Sequence, residues 1–166
     1  FTMVDLVSAE GEQADIALVW APPPGQLAKM PNLRGIIMQG QGVDYMMADT
    51  TVPRDVPLVR LVDPDMSSAL SHWTILAALD FWRDAPHYRA CQASANWQPI
   101  VQRRASGAKV GIMGIGAIGG LVAQRFAGLG FDVRGWARSP RQIADVTVFA
   151  GDKGLAPFLD GLDILV

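Results

Sequence analysis

Cysteine is nearly absent from this chain: Cys91 is the only one in 166 residues. A lone thiol excludes an internal disulfide and any C-x-x-C arrangement for zinc or dithiol chemistry. It fits a reducing compartment, so a cytoplasmic location is the expectation. Charge is scarce as well. Only 18% of residues are charged, and 14 Lys+Arg against 16 Asp+Glu leave a formal net charge of −2. Such a chain lacks the cation surplus with which a general nucleic-acid binder neutralises phosphates. Long apolar runs are missing too. Asp, Arg, Gly or Pro interrupts each one well before the roughly 20 residues of a membrane span. The two histidines, His72 and His87, belong to no cluster with metal-ligand spacing, and no metal is expected. There is no initiator Met, and the chain closes on the apolar run LDILV. The strand partners of that run would need more chain, so a piece of a longer polypeptide is expected.

Half of the residues are hydrophobic, enough for a packed core rather than a disordered chain. ADIALVW (14–20) reads as a strand, cut by APPPG, whose prolines forbid helix continuation. LRGIIMQGQGVD (33–44) repeats the design, and VPLVRLVDPD (56–65) gives a third strand. Three apolar strands about 20 residues apart suggest a small parallel sheet. The texture then changes. Leu70, Trp73, Leu76, Ala77, Leu79 and Phe81 fall at helical spacing, with Ser67 or Ser68 as N-cap and Pro86 as breaker. This predicts a long helix over 66–83. Residues 96–108 read as loop. After them the expected order is a strand at 109–114, a helix at 117–130, a strand at 131–136, a helix at 154–161 and a strand at 162–166. That is β-α-β-α-β. The expected boundary is Asp63-Pro64, giving domains 1–63 and 64–166.

Gly114-Ile115-Gly116-Ala117-Ile118-Gly119 is G-x-G-x-x-G, set directly after an apolar strand and opening a helix. Gly114 permits the tight turn, Gly116 lets backbone approach a pyrophosphate, and Gly119 lets helix and strand pack closely. The amides of Ala117, Ile118 and Gly119 at the helix N-terminus are free donors for phosphate oxygens. The alternative is an ordinary glycine-rich βα turn.

In an NAD site an acid at the end of the second strand accepts from the ribose 2′-OH. Here that position falls on Ala137, after Trp136, and is followed by Arg138 and Ser139. Arg134, Arg138 and Arg141 crowd this strand end with no carboxylate among them. A carboxylate repels a 2′-phosphate, whereas an arginine and a hydroxyl bind it. Charge-assisted hydrogen bonds contribute about 1.5–3 kcal/mol each, so two favour the phosphate-bearing cofactor by about a hundredfold or more. The expected cofactor is NADP(H), held by Gly114, Gly116, Ala117, Ile118, Gly119, Trp136, Arg138, Ser139 and Arg141. A solvated basic loop is the alternative.

ALVWAPP, GQGVD, DPDM…HW…FWRDAPHYR, NWQP, VGIMGIGAIGG and GWARS occur in this order along the chain. With these motifs the chain resembles the D-2-hydroxyacid dehydrogenase family, and within it the glyoxylate/hydroxypyruvate reductase A branch. The resemblance runs from about Ala14 to Val166. It implies an α/β architecture in two parts. A partial flavodoxin-like substrate domain, completed elsewhere by a C-terminal return, precedes the first half of a Rossmann-type NAD(P)-binding domain. It also implies a homodimer built through the long helix. Trp73, Phe81 and Trp82 are the large rings expected in that two-fold interface, although bottom-up they fit a monomer core equally well.

The resemblance places a substrate carboxylate on the backbone amides of Gln41 and Gly42. Glycine-flanked amides form a small anion nest; a plain turn is the alternative. It lets Trp20 cap a small substrate, a buried structural Trp being the alternative. Met66 reads as a core methionine, with contact to nicotinamide as the alternative. The family's histidine, glutamate and arginine fall in segments downstream of Val166, and neither His72 nor His87 matches the catalytic position. No catalytic residue is therefore expected in this chain, and the fragment alone is not expected to be active. The function implied is NADPH-dependent reduction of small 2-keto acids of the glyoxylate or hydroxypyruvate type. Two rivals are a non-catalytic dinucleotide-sensing protein on the same fold and another NADP-dependent oxidoreductase.

Overall fold

The computed structural model describes residues 2–166. Two compact units meet in sequence at Asp63 and Pro64, and each is α/β with its own parallel sheet.

The first unit runs α1 (Ala9–Glu12), β1 (Ile16–Val19), a single 3-10 turn (Leu27–Lys29), β2 (Gly35–Met38), α2 (Asp44–Ala48) and β3 (Leu58–Arg60). The strands pair in parallel in the order β1-β2-β3. α1 was not expected; Ser8 caps it by accepting from the Gly11 N–H. One face of the sheet is covered: Ala17, Val19, Ile36 and Met38 pack with Leu27, Met30, Met46 and Val52. The opposite face carries Ile16, Leu18, Ile37 and Val59, all exposed. Asp49 closes the turn after α2. The hydroxyl and backbone N–H of Thr51 donate to its carboxylate at 2.6 and 2.9 Å, and these bonds hold it below the ordinary carboxylate pKa.

The second unit opens with α3 (Pro64–Trp82) and α4 (Ala85–Ala93). α3 starts at Pro64 rather than after Ser67 or Ser68. Proline lacks the N–H that a first helical turn leaves unused, so it suits that position. The two serines lie inside the helix, where the Ser68 carbonyl and hydroxyl accept from Arg125. α3 ends where Asp84 takes a left-handed conformation, φ 53°. Pro86 sits in the first turn of α4 instead of acting as the breaker. Residues 96–104 form a connection without regular structure.

Then follow β4 (Lys109–Met113), α5 (Ala117–Gly128), β5 (Asp132–Ala137), β6 (Thr147–Ala150), α6 (Gly151–Leu159) and β7 (Ile164–Leu165). β6 is a correction to the expected β-α-β-α-β order, and α6 begins three residues earlier than expected. All four strands are parallel, ordered β6-β5-β4-β7. In chain order this is third, second, first, fourth. The chain therefore crosses from one side of β4 to the other, which makes a switch point at the carboxyl end of β4.

The core of this unit gathers Val110, Ile112, Ile115, Val122, Ala123, Phe126, Phe131 and Val133, with Ala78 and Trp82 from α3. Phe126 and Trp82 each meet Phe131 edge-on, with centroids 5.6 and 5.8 Å apart. Trp82 is only 5% exposed, which removes it from the expected interface rings. Trp73 is 69% exposed, and Leu70, Leu76, Phe81 and Met66 share its exposure. Met66 is thus no core methionine. Asp80 on α3 accepts two bonds from Arg89 on α4, at 2.7 and 2.9 Å. The pairing lowers the Asp80 pKa and raises that of Arg89. No helix among the described residues is long and apolar enough to cross a membrane.

Candidate functional site

The glycine turn sits at the switch point, between the end of β4 and the start of α5. Gly114 has φ +104°, a conformation that side-chain-bearing residues rarely adopt. A β-carbon at Gly119 would lie 2.0 Å from the Gly114 carbonyl oxygen, so the third glycine is required by the contact between helix and turn. A β-carbon at Gly116 would meet nothing within 4 Å. The second glycine thus faces open space, where a ligand can approach the backbone.

Gly116 is the N-cap of α5 and offers no side chain to the first turn, which also carries no acidic residue. The Gly120 N–H makes the first intrahelical bond, to the Gly116 carbonyl at 2.8 Å. The amides of Ala117, Ile118 and Gly119 precede it and have no intrahelical acceptor. They join the positive end of the helix dipole at this opening.

The end of β5 is tied to the same turn. The Gly114 and Ile115 N–H groups donate to the Trp136 carbonyl at 2.9 and 3.4 Å. The Trp136 indole N–H donates to the Gly151 carbonyl at 3.0 Å, fixing the ring against the start of α6. Ala137, where an acid was sought, is 9% exposed and packs into the core. Arg138 and Ser139 follow it and are both exposed. Arg141 reaches back and donates to the Ile115 carbonyl at 3.4 Å. An open groove of about 870 Å³ runs here, lined by Gly116, Ala117, Gly120, Gln124, Arg141 and Gln142 among others. Gln124 and Gln142 were not expected from the sequence. Nothing in their spacing marks them, because they meet only across the fold.

Arg134 does not belong to this group. Its guanidinium donates to the Asp160 carbonyl at 2.8 Å and the Pro157 carbonyl at 3.4 Å. It thus satisfies the carbonyls at the end of α6. Arg134 is thus a structural cation, which leaves two others: Arg138, which is exposed, and Arg141, which also donates to the Ile115 carbonyl. Among the described residues neither of the two pairs with a carboxylate.

A second concavity lies in the first unit, at the carboxyl ends of β1 and β2. Trp20, Gly40, Gln41, Gly42, Asp44 and Tyr45 line a hollow of about 190 Å³. Trp20 is 64% exposed, so it is not a buried structural ring. A β-carbon at Gly40 would meet the Trp20 ring at 3.4 Å, whereas one at Gly42 would meet nothing within 4 Å. The Gln41 side-chain amide donates to the Asp63 carbonyl at 3.2 Å. Arg60, at the end of β3, donates to the Gln41 carbonyl at 3.0 Å.

Neither histidine is among the residues that line the groove or the hollow. His72 is exposed on α3, and the Nε2 atom of His87 contacts the Gln98 carbonyl at 2.8 Å. Among the described residues no group of His, Cys, Asp and Glu could hold a metal ion.

A doubly wound parallel sheet with a three-glycine turn at its switch point defines a dinucleotide-binding half-fold. Comparison with known proteins narrows the class. Residues 75–166 match the family model described as "D-isomer specific 2-hydroxyacid dehydrogenase, NAD binding domain". The glyoxylate/hydroxypyruvate reductase A of Serratia proteamaculans is 37% identical over 158 residues, 92% of this chain and 50% of that protein. A D-isomer specific 2-hydroxyacid dehydrogenase from Xanthobacter autotrophicus Py2, solved with NADPH and MES, is 39% identical with a TM-score of 0.83. That match covers 93% of this chain and 49% of the other. The NADPH-dependent glyoxylate/hydroxypyruvate reductase of Sinorhizobium meliloti, solved with NADP and sulfate, is 34% identical with a TM-score of 0.84. It is matched over 98% of this chain and 52% of its own. The chain belongs to the D-isomer specific 2-hydroxyacid dehydrogenase family. It spans about half the length of the curated relatives it matches.

Proposed function

We propose that this chain is the coenzyme-recognising and substrate-positioning half of an NADPH-dependent reductase of small 2-keto acids, of the glyoxylate or hydroxypyruvate type. The observation that carries the reading is the end of β5. It is tied to the glycine turn, has no acid at Ala137, and presents Arg138 and Ser139 to solvent. The relatives solved with NADPH or NADP support the same coenzyme.

In this reading the amides of Ala117, Ile118 and Gly119 hold the pyrophosphate, and Gly114, Gly116 and Trp136 shape the turn that receives it. The Arg138 guanidinium and the Ser139 hydroxyl hold the 2′-phosphate, and Arg141 adds a second cation. The amides of Gln41 and Gly42 hold the substrate carboxylate, and Trp20 bounds the space for its small substituent. When bound, the coenzyme supplies hydride to the keto carbon. The proton for the resulting alkoxide comes from residues outside 1–166, because neither His72 nor His87 matches the catalytic position of the family. Residues outside 1–166 also cover the bare face of the first sheet, as a C-terminal return of the polypeptide. A cytoplasmic homodimer joined along the exposed side of α3 completes the proposal.

Fluorescence titration with NADPH and NADH tests the coenzyme assignment. Replacing Arg138 by Gln removes one charge-assisted contact of about 1.5–3 kcal/mol, so NADPH affinity should fall by about tenfold to a hundredfold. NADH affinity should stay within twofold. Adding A137D to R138Q should favour NADH further, less than an exposed acid would, because position 137 is sheltered. Equal wild-type affinity for the two coenzymes would overturn the assignment.

A further inference from the structure

We infer that Arg60 is a positioning residue for the substrate carboxylate, acting through the peptide unit that joins Gln41 to Gly42. The inference deepens the proposed function and rests on its assignment of these two amides.

A trans peptide unit is planar, and its C=O and N–H point in opposite directions. The Arg60 guanidinium donates to the Gln41 carbonyl oxygen at 3.0 Å. That bond fixes the direction of the Gly42 N–H, which belongs to the same plane and lies on the far side of it. The space beside Gly42 is open, and Gly42 lines the 190 Å³ hollow. The Gln41 side chain is held as well, by its bond to the Asp63 carbonyl at 3.2 Å. Both tethers come from the segment that ends β3. The loop is thus pinned from one side, and its donor is presented on the other.

The charge of Arg60 has a second effect. A cationic donor on the carbonyl polarises the amide and strengthens its N–H as a donor, as neighbouring bonds in a chain do. A lysine could repeat this with one N–H. A glutamine or alanine could not supply the charge. The hollow needs such help. Asp44 lines it too, and its carboxylate repels an incoming anion. With no Cβ, Gly42 would otherwise leave this peptide free to rotate.

The test uses the ¹⁵N-labelled protein and oxalate, a two-carbon dicarboxylate that cannot be reduced. In the wild type, oxalate should move the Gly42 amide resonance. In R60A that resonance should shift upfield before any ligand is added, and oxalate affinity should fall about tenfold. R60K should restore at least half of the resonance shift and most of the affinity. The amides of Val110 and Val133, in the other unit, should remain unchanged in every variant. Should R60A lose the resonances of residues 2–63 through unfolding, R60Q takes its place, since it keeps part of the stem.

A wild-type Gly42 that ignores oxalate defeats the substrate-loop assignment and this inference with it. A wild type that responds, beside an R60A with the same Gly42 resonance and the same affinity, defeats the inference alone. Loss of affinity in R60A without any change at Gly42 also defeats it, because Arg60 would then touch the anion directly.

Discussion

The two parallel sheets differ in how many of their faces are covered. In the second unit β4 has Val110, Gly111 and Ile112 all buried, although neighbouring residues of a strand point to opposite faces. α5 supplies Val122 and Phe126 to one side. On the other side Phe158 of α6 approaches Gly111, where a β-carbon would lie 3.1 Å from its ring and 2.4 Å from Leu162. In the first unit burial alternates along β1 and β2: Ile16, Leu18 and Ile37 are exposed while Ala17, Val19 and Ile36 are buried. Parallel sheets in α/β proteins are ordinarily covered on both faces. The second unit therefore holds its own layers, and the first presents a face that suits a further layer. Matched relatives about twice as long have the chain to provide one.

The comparison can be broken by substitution. The largest effect is expected at Phe126, which is fully buried and packs edge-on against Phe131. Phe126→Ala should cost about 3–5 kcal/mol. Native-state hydrogen exchange should show the loss in β4 and β5 only, with the β2 amides keeping their protection. Equal loss in both units would mean that the two sheets unfold as one. Next comes a pair on one strand of the first unit. Ile36→Ala should cost about 2–5 kcal/mol, and Ile37→Ala no more than about 0.5 kcal/mol in this chain. Urea melts of the two variants measure the contrast. Equal costs would show that the exposed face is covered in solution.

The smallest stability effect is expected on the outer side of α3. Trp73→Ser should change folding stability by no more than about 0.5 kcal/mol. It should nevertheless convert the proposed dimer to monomer in sedimentation velocity. A wild type that sediments as a monomer would remove the dimer from the proposal, and a Trp73→Ser variant that stays dimeric would move the interface elsewhere.

Much of the fold was legible because burial on one or two faces writes itself into local patterns. IALV, GIIM and KVGIM are compact apolar runs, and each became a strand. The glycine turn was legible for the same local reason, since its three roles fall within six residues. β6 was not. TVFA is short, and no helix separates it from β5. The fates of the arginines were also hidden. Arg134 finds its carbonyls 23 and 26 residues away, and Arg60 finds its acceptor 19 residues away. Such partners are chosen by topology and leave no mark on spacing. Trp82 was hard to place because Ala78, Leu79 and Phe81 beside it on α3 are apolar too. Periodicity could not say which rings face α5 and which face water.

The connection between β5 and β6 covers residues 138–146 and contains no helix. Only Ile143 and Val146 of this stretch pack on the core. On the proposed reading, the residues that tell one nicotinamide coenzyme from the other ride on this stretch. Exchanges at 138, 139 and 141 leave the layers beneath them in place. Coenzyme choice in such a protein is thus a trait that few codon changes can rewrite. A lineage could move between the reducing and oxidising coenzyme pools of a cell without passing through unfolded ancestors.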